Sequence, residues 1–86
     1  MNESKLNAML RELQKTVESA SIRGQGASSF LYATSKGRSA EISAHQEGGW
    51  WLQFWEATAD EDASPVRESI VEAPEKAIAE TLRWLD

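Results

Sequence analysis

Residues 48–65, GGWWLQFWEATADEDASP, place three tryptophans and one phenylalanine within six positions, followed by an acidic stretch. Successive side chains of a strand point to opposite faces, so a half-buried strand needs apolar residues on one face only. In WWLQFW, alternation puts Trp50, Leu52 and Phe54 on one face. The opposite face carries Trp51, Gln53 and Trp55. The segment therefore predicts a strand with large rings on both of its faces.

Two earlier segments, SFLYATS and SAEISAHQ, predict strands that pair consecutively, with SAEISAHQ between SFLYATS and WWLQFW. Three-residue loops at 35–37 and 47–49, each ending in a left-handed glycine, are expected to connect them. The second loop pairs Ala44 with Leu52, Ile42 with Phe54 and His45 with Trp51. The predicted core face is Phe30, Tyr32, Ala40, Ile42, Ala44, Trp50, Leu52 and Phe54. The predicted opposite face is Leu31, Ala33, Ser39, Glu41, Ser43, His45, Trp51, Gln53 and Trp55.

Helices are expected at both ends of this sheet. Apolar residues recur at helical spacing over 3–21, and Gly24 or Gly26 is expected to end that helix. A second helix is expected in APEKAIAETLRWLD, where Pro74 suits the first helical position. VRESIVE, residues 66–72, predicts a possible fourth strand, with either Val66 and Ile70 or Arg67 and Val71 turned inward.

The order helix, three or four antiparallel strands, helix predicts an α+β fold with two layers and both helices on one face of the sheet. A length of 86 residues is typical of one small domain, 1–86. A net charge of −5 with scattered basic residues disfavours binding to nucleic acids or to an anionic membrane. The chain lacks cysteine and begins without a secretory pattern, so we expect a cytoplasmic protein.

Five residues of the predicted open face are the candidate contacts with a partner: Trp51, Trp55, Gln53, Glu41 and His45. The alternative is that a helix or the long loop covers both rings and makes them core. His45 is the only histidine and has no matching nucleophile pattern. Asp60, Glu61 and Asp62 lack the ligand spacing of a calcium loop. We therefore expect no catalytic residue, no metal and no cofactor.

The sequence thus favours a non-enzymatic module that binds a protein partner, or itself, through an aromatic sheet face. One alternative is a small-ligand-binding protein or enzyme with a pocket beside the acidic loop, and another is an antitoxin or immunity-type inhibitor. Gly48, Gly49, Glu75 and Ala77 lie in a strand-and-helix stretch that resembles half of the HicB-type antitoxins. That resemblance covers less than half of the chain, and the leading helix departs from the opening strand of that family.

Overall fold

A computed structural model describes residues 2–56 and 63–86 of the chain. These residues form an α+β fold with two α-helices, one short 3-10 helix (Gly26–Ser28) and five strands, in agreement with the predicted class. The α-helices are α1 (Asn2–Gln14) and α2 (Pro74–Leu85). The strands are β1 (Ser19–Arg23), β2 (Phe30–Ser35), β3 (Arg38–Ala44), β4 (Trp50–Trp55) and β5 (Arg67–Val71).

The five strands form one antiparallel meander in the order β1-β2-β3-β4-β5. Both helices pack on one face, with α1 against β1 and β2 and α2 against β3, β4 and β5. Their innermost side chains belong to a single buried cluster with that face of the sheet. The cluster contains Leu6, Met9, Leu13, Leu31, Ala33, Ala40, Ile42, Trp50, Leu52, Phe54, Ala77 and Leu85. The opposite face of the sheet is called the open face below.

The first helix is shorter than the sequence predicts, and β1 occupies the end of the predicted helix. After Gln14 the chain makes one tight turn, in which the backbone N–H groups of Thr16 and Val17 donate to the carbonyl of Leu13. SASIR then alternates polar and apolar residues, and Ala20 and Ile22 pack against the core. This five-residue period-two pattern is compatible with a strand, and pairing with β2 decides between strand and helix.

The predicted register between β2 and β3 is wrong by one residue. Each side chain of β2 therefore lies on the face of the sheet opposite to the one predicted. The loop has two residues, Lys36 and Gly37, with φ of 54° and 83°, and it pairs Ser35 with Arg38. A two-residue loop of this kind requires positive φ at both positions, which lysine seldom adopts. Here the backbone N–H of Lys36 donates to a carboxylate oxygen of Glu18 at 3.1 Å. As a result Leu31 and Ala33 are core, while Phe30 and Tyr32 lie on the open face.

The loop between β3 and β4 has three residues as predicted, but it lies one position earlier. The backbone N–H of His45 donates to the carbonyl of Gly49, which leaves residues 46–48 as the loop. The register therefore shifts by two, so the predicted faces of β3 and β4 are correct while the predicted partners are wrong. Trp51 lies opposite Ser43, in place of the predicted His45, and Ile42 lies opposite Leu52.

The segment at 66–72 does form a strand beside β4, and its inward residues are now defined. Val71 packs against the core, whereas Ile70 points outward and is 59% exposed. In α2, Pro74 begins the helix as expected. The most buried positions of α2 are the small residues Ala77 and Thr81, which let the helix approach the sheet closely, together with Leu85.

Candidate interaction face

The register arranges the open face as three rows of side chains that run across the strands. The first row, from β1 to β5, is Arg23, Phe30, Ser43, Trp51 and Ile70. The middle row is Ser21, Tyr32, Glu41, Gln53 and Glu68. The third row is Ser19, Thr34, Ser39 and Trp55. Glu41 on the central strand therefore lies near the centre of the face.

Trp51 is the main exposed ring of this face. Its side chain is 37% exposed, whereas its neighbour Trp50, on the core face of the same strand, is 4% exposed. The indole N–H of Trp51 donates to Oε1 of Glu68 on β5 at 3.0 Å. Because this bond satisfies the polar edge of the ring, what remains exposed is apolar surface.

Trp55 is held differently from Trp51. Its indole N–H donates to the backbone carbonyl of Ala63 at 2.9 Å, and the ring is half-buried. The segment that leads into β5 therefore covers one edge of Trp55, while neither described helix touches this face. The predicted acidic loop, with Asp60, Glu61 and Asp62, lies outside the described residues.

The centre of the face combines a carboxylate, a phenol ring and a guanidinium group. Burial raises the pKa of the Glu41 carboxyl above its ordinary value, and the nearby positive charge of Arg23 opposes that increase. Arg23 stacks on the ring of Tyr32, with its guanidinium carbon 4.0 Å from the ring centre. Gln53 lies opposite Glu41 on β4, between Trp51 and Trp55 along the strand, as the sequence predicts.

His45 lies at the end of β3, where the strand enters the loop. Its Nδ1 accepts a hydrogen bond from the backbone N–H of Glu47 at 3.3 Å, which ties the ring to its own turn. A shallow concavity of about 860 Å³ extends from this turn across Trp51 to Glu68 and Ile70. The five predicted contact residues therefore lie on or beside one face, with Trp51 and His45 in the same concavity.

Sequence reasoning misses several residues of this face. It assigns Phe30 and Tyr32 to the core, places Arg23 beyond a helix, and gives Glu68 no role. Two signals favour the observed arrangement of β2: Leu31 and Ala33 suit a packed interior better than a tyrosine hydroxyl does, and SKG also fits a two-residue turn. The register that buries Leu31 places both rings outside.

Within residues 2–56 and 63–86, no group of three or more acidic, histidine or cysteine side chains is arranged to hold a metal ion. No helix in this part of the chain is long and apolar enough to cross a membrane. Comparisons with protein-family models, curated proteins and solved structures find no match to this chain. We therefore infer function from the geometry of the open face.

Proposed function

We propose that the protein is a non-enzymatic interaction module whose open sheet face binds a protein surface. The observation that carries this proposal is the position of its exposed apolar side chains. Among the described residues, the large hydrophobic side chains that remain exposed are Trp51, Val66 and Ile70. Trp51 and Ile70 are paired neighbours on β4 and β5, and Val66 directly precedes β5. A cytoplasmic location is part of the same proposal.

The chemistry of the face supports binding to another protein. Trp51 offers a large ring with few rotatable bonds, and such rings are enriched among residues that dominate binding energy. The polar middle row, with Glu41 and Glu68 on either side of Gln53, supplies hydrogen-bonding groups and charge that select among partners. Ordered polar groups beside an exposed ring are typical of the arrangement found at protein interfaces.

A photoreactive amino acid at position 70 tests this proposal in living cells. We expect light to link the open face to a protein, and we expect the product to disappear when Trp51→Ser is added. The matched control carries the same photoreactive group at Ala8, which is exposed on α1 in the opposite layer. Equal products from positions 70 and 8, or a product unaffected by Trp51→Ser, would contradict the proposal.

A further inference from the structure

We propose that the protein surface bound by the open face is a second copy of the same chain, stacked face to face about a two-fold axis that runs along β3. This inference rests on the proposed function, because it names the occupant of the same surface. Two properties of the face support it, its charges and the sizes of its side chains, while its area limits the strength of the dimer.

A two-fold axis along β3 reverses the strand order of the second copy. Each row of one copy then lies over the same row of the other copy. β1 of one copy then lies over β5 of the other, β2 lies over β4, and β3 lies over β3. In the first row, Phe30 meets Trp51 of the second copy. Ser39, Glu41 and Ser43 all lie on the axis; the two small serines permit close approach of the two sheets, and Glu41 faces Glu41 of the second copy.

The edges of the face carry complementary charges. Arg23 on β1 stacks on Tyr32 and forms no ion pair within 4.0 Å among the described residues. Glu68 on β5 uses Oε1 to accept from Trp51, and its Oε2 has no hydrogen-bond partner in the described part of the chain. Under this axis Arg23 lies over Ile70 of the second copy, and Glu68 of that copy lies on the same edge, two residues or about 6.6 Å further along the strand, where the long arginine side chain reaches it diagonally. We expect each Arg23 to form an ion pair with Glu68 of the other copy. Within its own chain Arg23 lies near Glu41, but neither Arg23 nor Glu68 forms a salt bridge within 4.0 Å among the described residues.

The second two-fold axis in the plane of the face, perpendicular to the strands, lacks this complementarity. It lays every strand over its own copy, so Glu68 faces Glu68 and the first row faces the third. Arg23 then meets Ser19, which carries no charge. Like charges placed opposite one another oppose association, so the charge pattern selects the axis along β3.

The area of the face and its central carboxylate limit the strength of the dimer. Five strands at about 4.8 Å spacing and about 17 Å of strand length give a footprint of roughly 400 Å². Standard interfaces bury about 800 Å² of accessible surface on each partner. Glu41 also faces Glu41 of the second copy, and its desolvation opposes stacking. We therefore expect a weak, reversible dimer, because the interface lies below the standard size.

Charge reversal at the two edges tests the geometry. Sedimentation equilibrium of the purified chain from about 1 to about 500 µM is expected to show a monomer–dimer equilibrium. Arg23→Glu and Glu68→Arg are each expected to weaken self-association by at least about tenfold. Mixed in equal amounts, the two variants are expected to associate with each other, because the mixed pair has an Arg–Glu contact at both edges. Glu41→Gln is expected to tighten the wild-type dimer.

Several results would overturn this inference. They are a wild-type chain that stays monomeric over the whole range, single variants that dimerise as well as wild type, and a mixture that associates no better than its components. Circular dichroism of each variant verifies that it is folded. The cross-linking experiment separates this inference from the proposed function. A product with twice the mass of the chain supports the second copy, and a different mass supports the proposed function alone.

Discussion

Two adjacent tryptophans of β4 have opposite roles at the scale of single residues. Trp50 is 4% exposed within the core, and Trp51 is 37% exposed on the open face. We expect Trp50→Ala to lower the free energy of unfolding by about 3–5 kcal/mol, because it leaves a large cavity. Trp51→Ala is expected to lower it by about 1 kcal/mol, since it removes an exposed ring and one surface hydrogen bond. Urea unfolding monitored by circular dichroism compares the two, and equal losses would show that Trp51 is core.

Glu41 gives a prediction about pH. Its carboxyl has a raised pKa in the folded chain, so the native state binds the proton more readily than the unfolded state. Binding of this proton stabilises the folded chain. The stabilisation is fully present at pH values below the unfolded pKa of about 4.3, and it is lost as the pH rises through the pKa of the folded chain. Glu41→Gln is therefore expected to be more stable than wild type at pH 7, by less than about 1 kcal/mol because solvent screens the carboxylate.

To test this, the free energy of unfolding is measured for Glu41→Gln and for wild type at a series of pH values from acidic to neutral, at concentrations where both proteins are monomeric. The difference between the two proteins is then compared across pH. The difference is expected to grow as pH rises and to reach a plateau. Glu47→Gln, on the exposed loop, is the matched control for removing one negative charge. If Glu41→Gln is less stable than wild type at pH 7, the Glu41 carboxylate stabilises the fold, and the desolvation cost assigned to it is wrong.

At the scale of elements, the β3–β4 hairpin depends on Gly49 for two reasons. Its φ is +85°, and a Cβ at this position would lie 2.6 Å from the backbone carbonyl oxygen of Val71 on β5. Gly48 has a φ of +100°, but a Cβ there would meet nothing within 4 Å. Gly48→Ala is expected to cost about 1 kcal/mol from backbone strain alone.

Gly49→Ala is expected to cost at least about 2 kcal/mol, because strain adds to a clash between backbones that neither strand can easily relieve. Thermal unfolding of the two variants compares the positions directly. Equal losses would mean that β5 moves away freely, and that its position beside β4 does not depend on this close contact.

The elements differ in how far the sequence determines them. WWLQFW and the final helix are predicted correctly because strong periodicity, Pro74 and bulky rings all indicate the same structure. The side chains of β2 are predicted on the wrong faces because SKG suits a loop of two or three residues; in the folded chain, burial of Leu31 and Ala33 and a hydrogen bond from Lys36 to Glu18, 18 residues away, accompany the two-residue loop. β1 is predicted as helix because five residues of weak alternation continue a strongly helical stretch, and only pairing with β2 decides their structure.

At the scale of the whole molecule, the sheet separates two sets of side chains. One face packs against both helices and stabilises the fold, while the other carries the rows to which we assign binding. Periodicity alone predicts that Trp51 and Trp55 lie away from the helices. It does not predict the edge pair Arg23 and Glu68, because their positions depend on a strand register that no local pattern defines.

This separation predicts that binding can be removed without loss of stability. Ser43→Arg places a long cation near the middle of the open face, where two copies would meet arginine against arginine. We expect sedimentation to show a monomer, with the free energy of unfolding changed by less than about 0.5 kcal/mol, as for an ordinary surface substitution. The matched control is Ala8→Arg, which adds the same side chain to an exposed position beside the groove between α1 and α2. An added arginine is expected to prevent association only where it lies in the contact between the two molecules. If Ala8→Arg abolishes association while Ser43→Arg does not, the binding surface therefore lies on the helical layer.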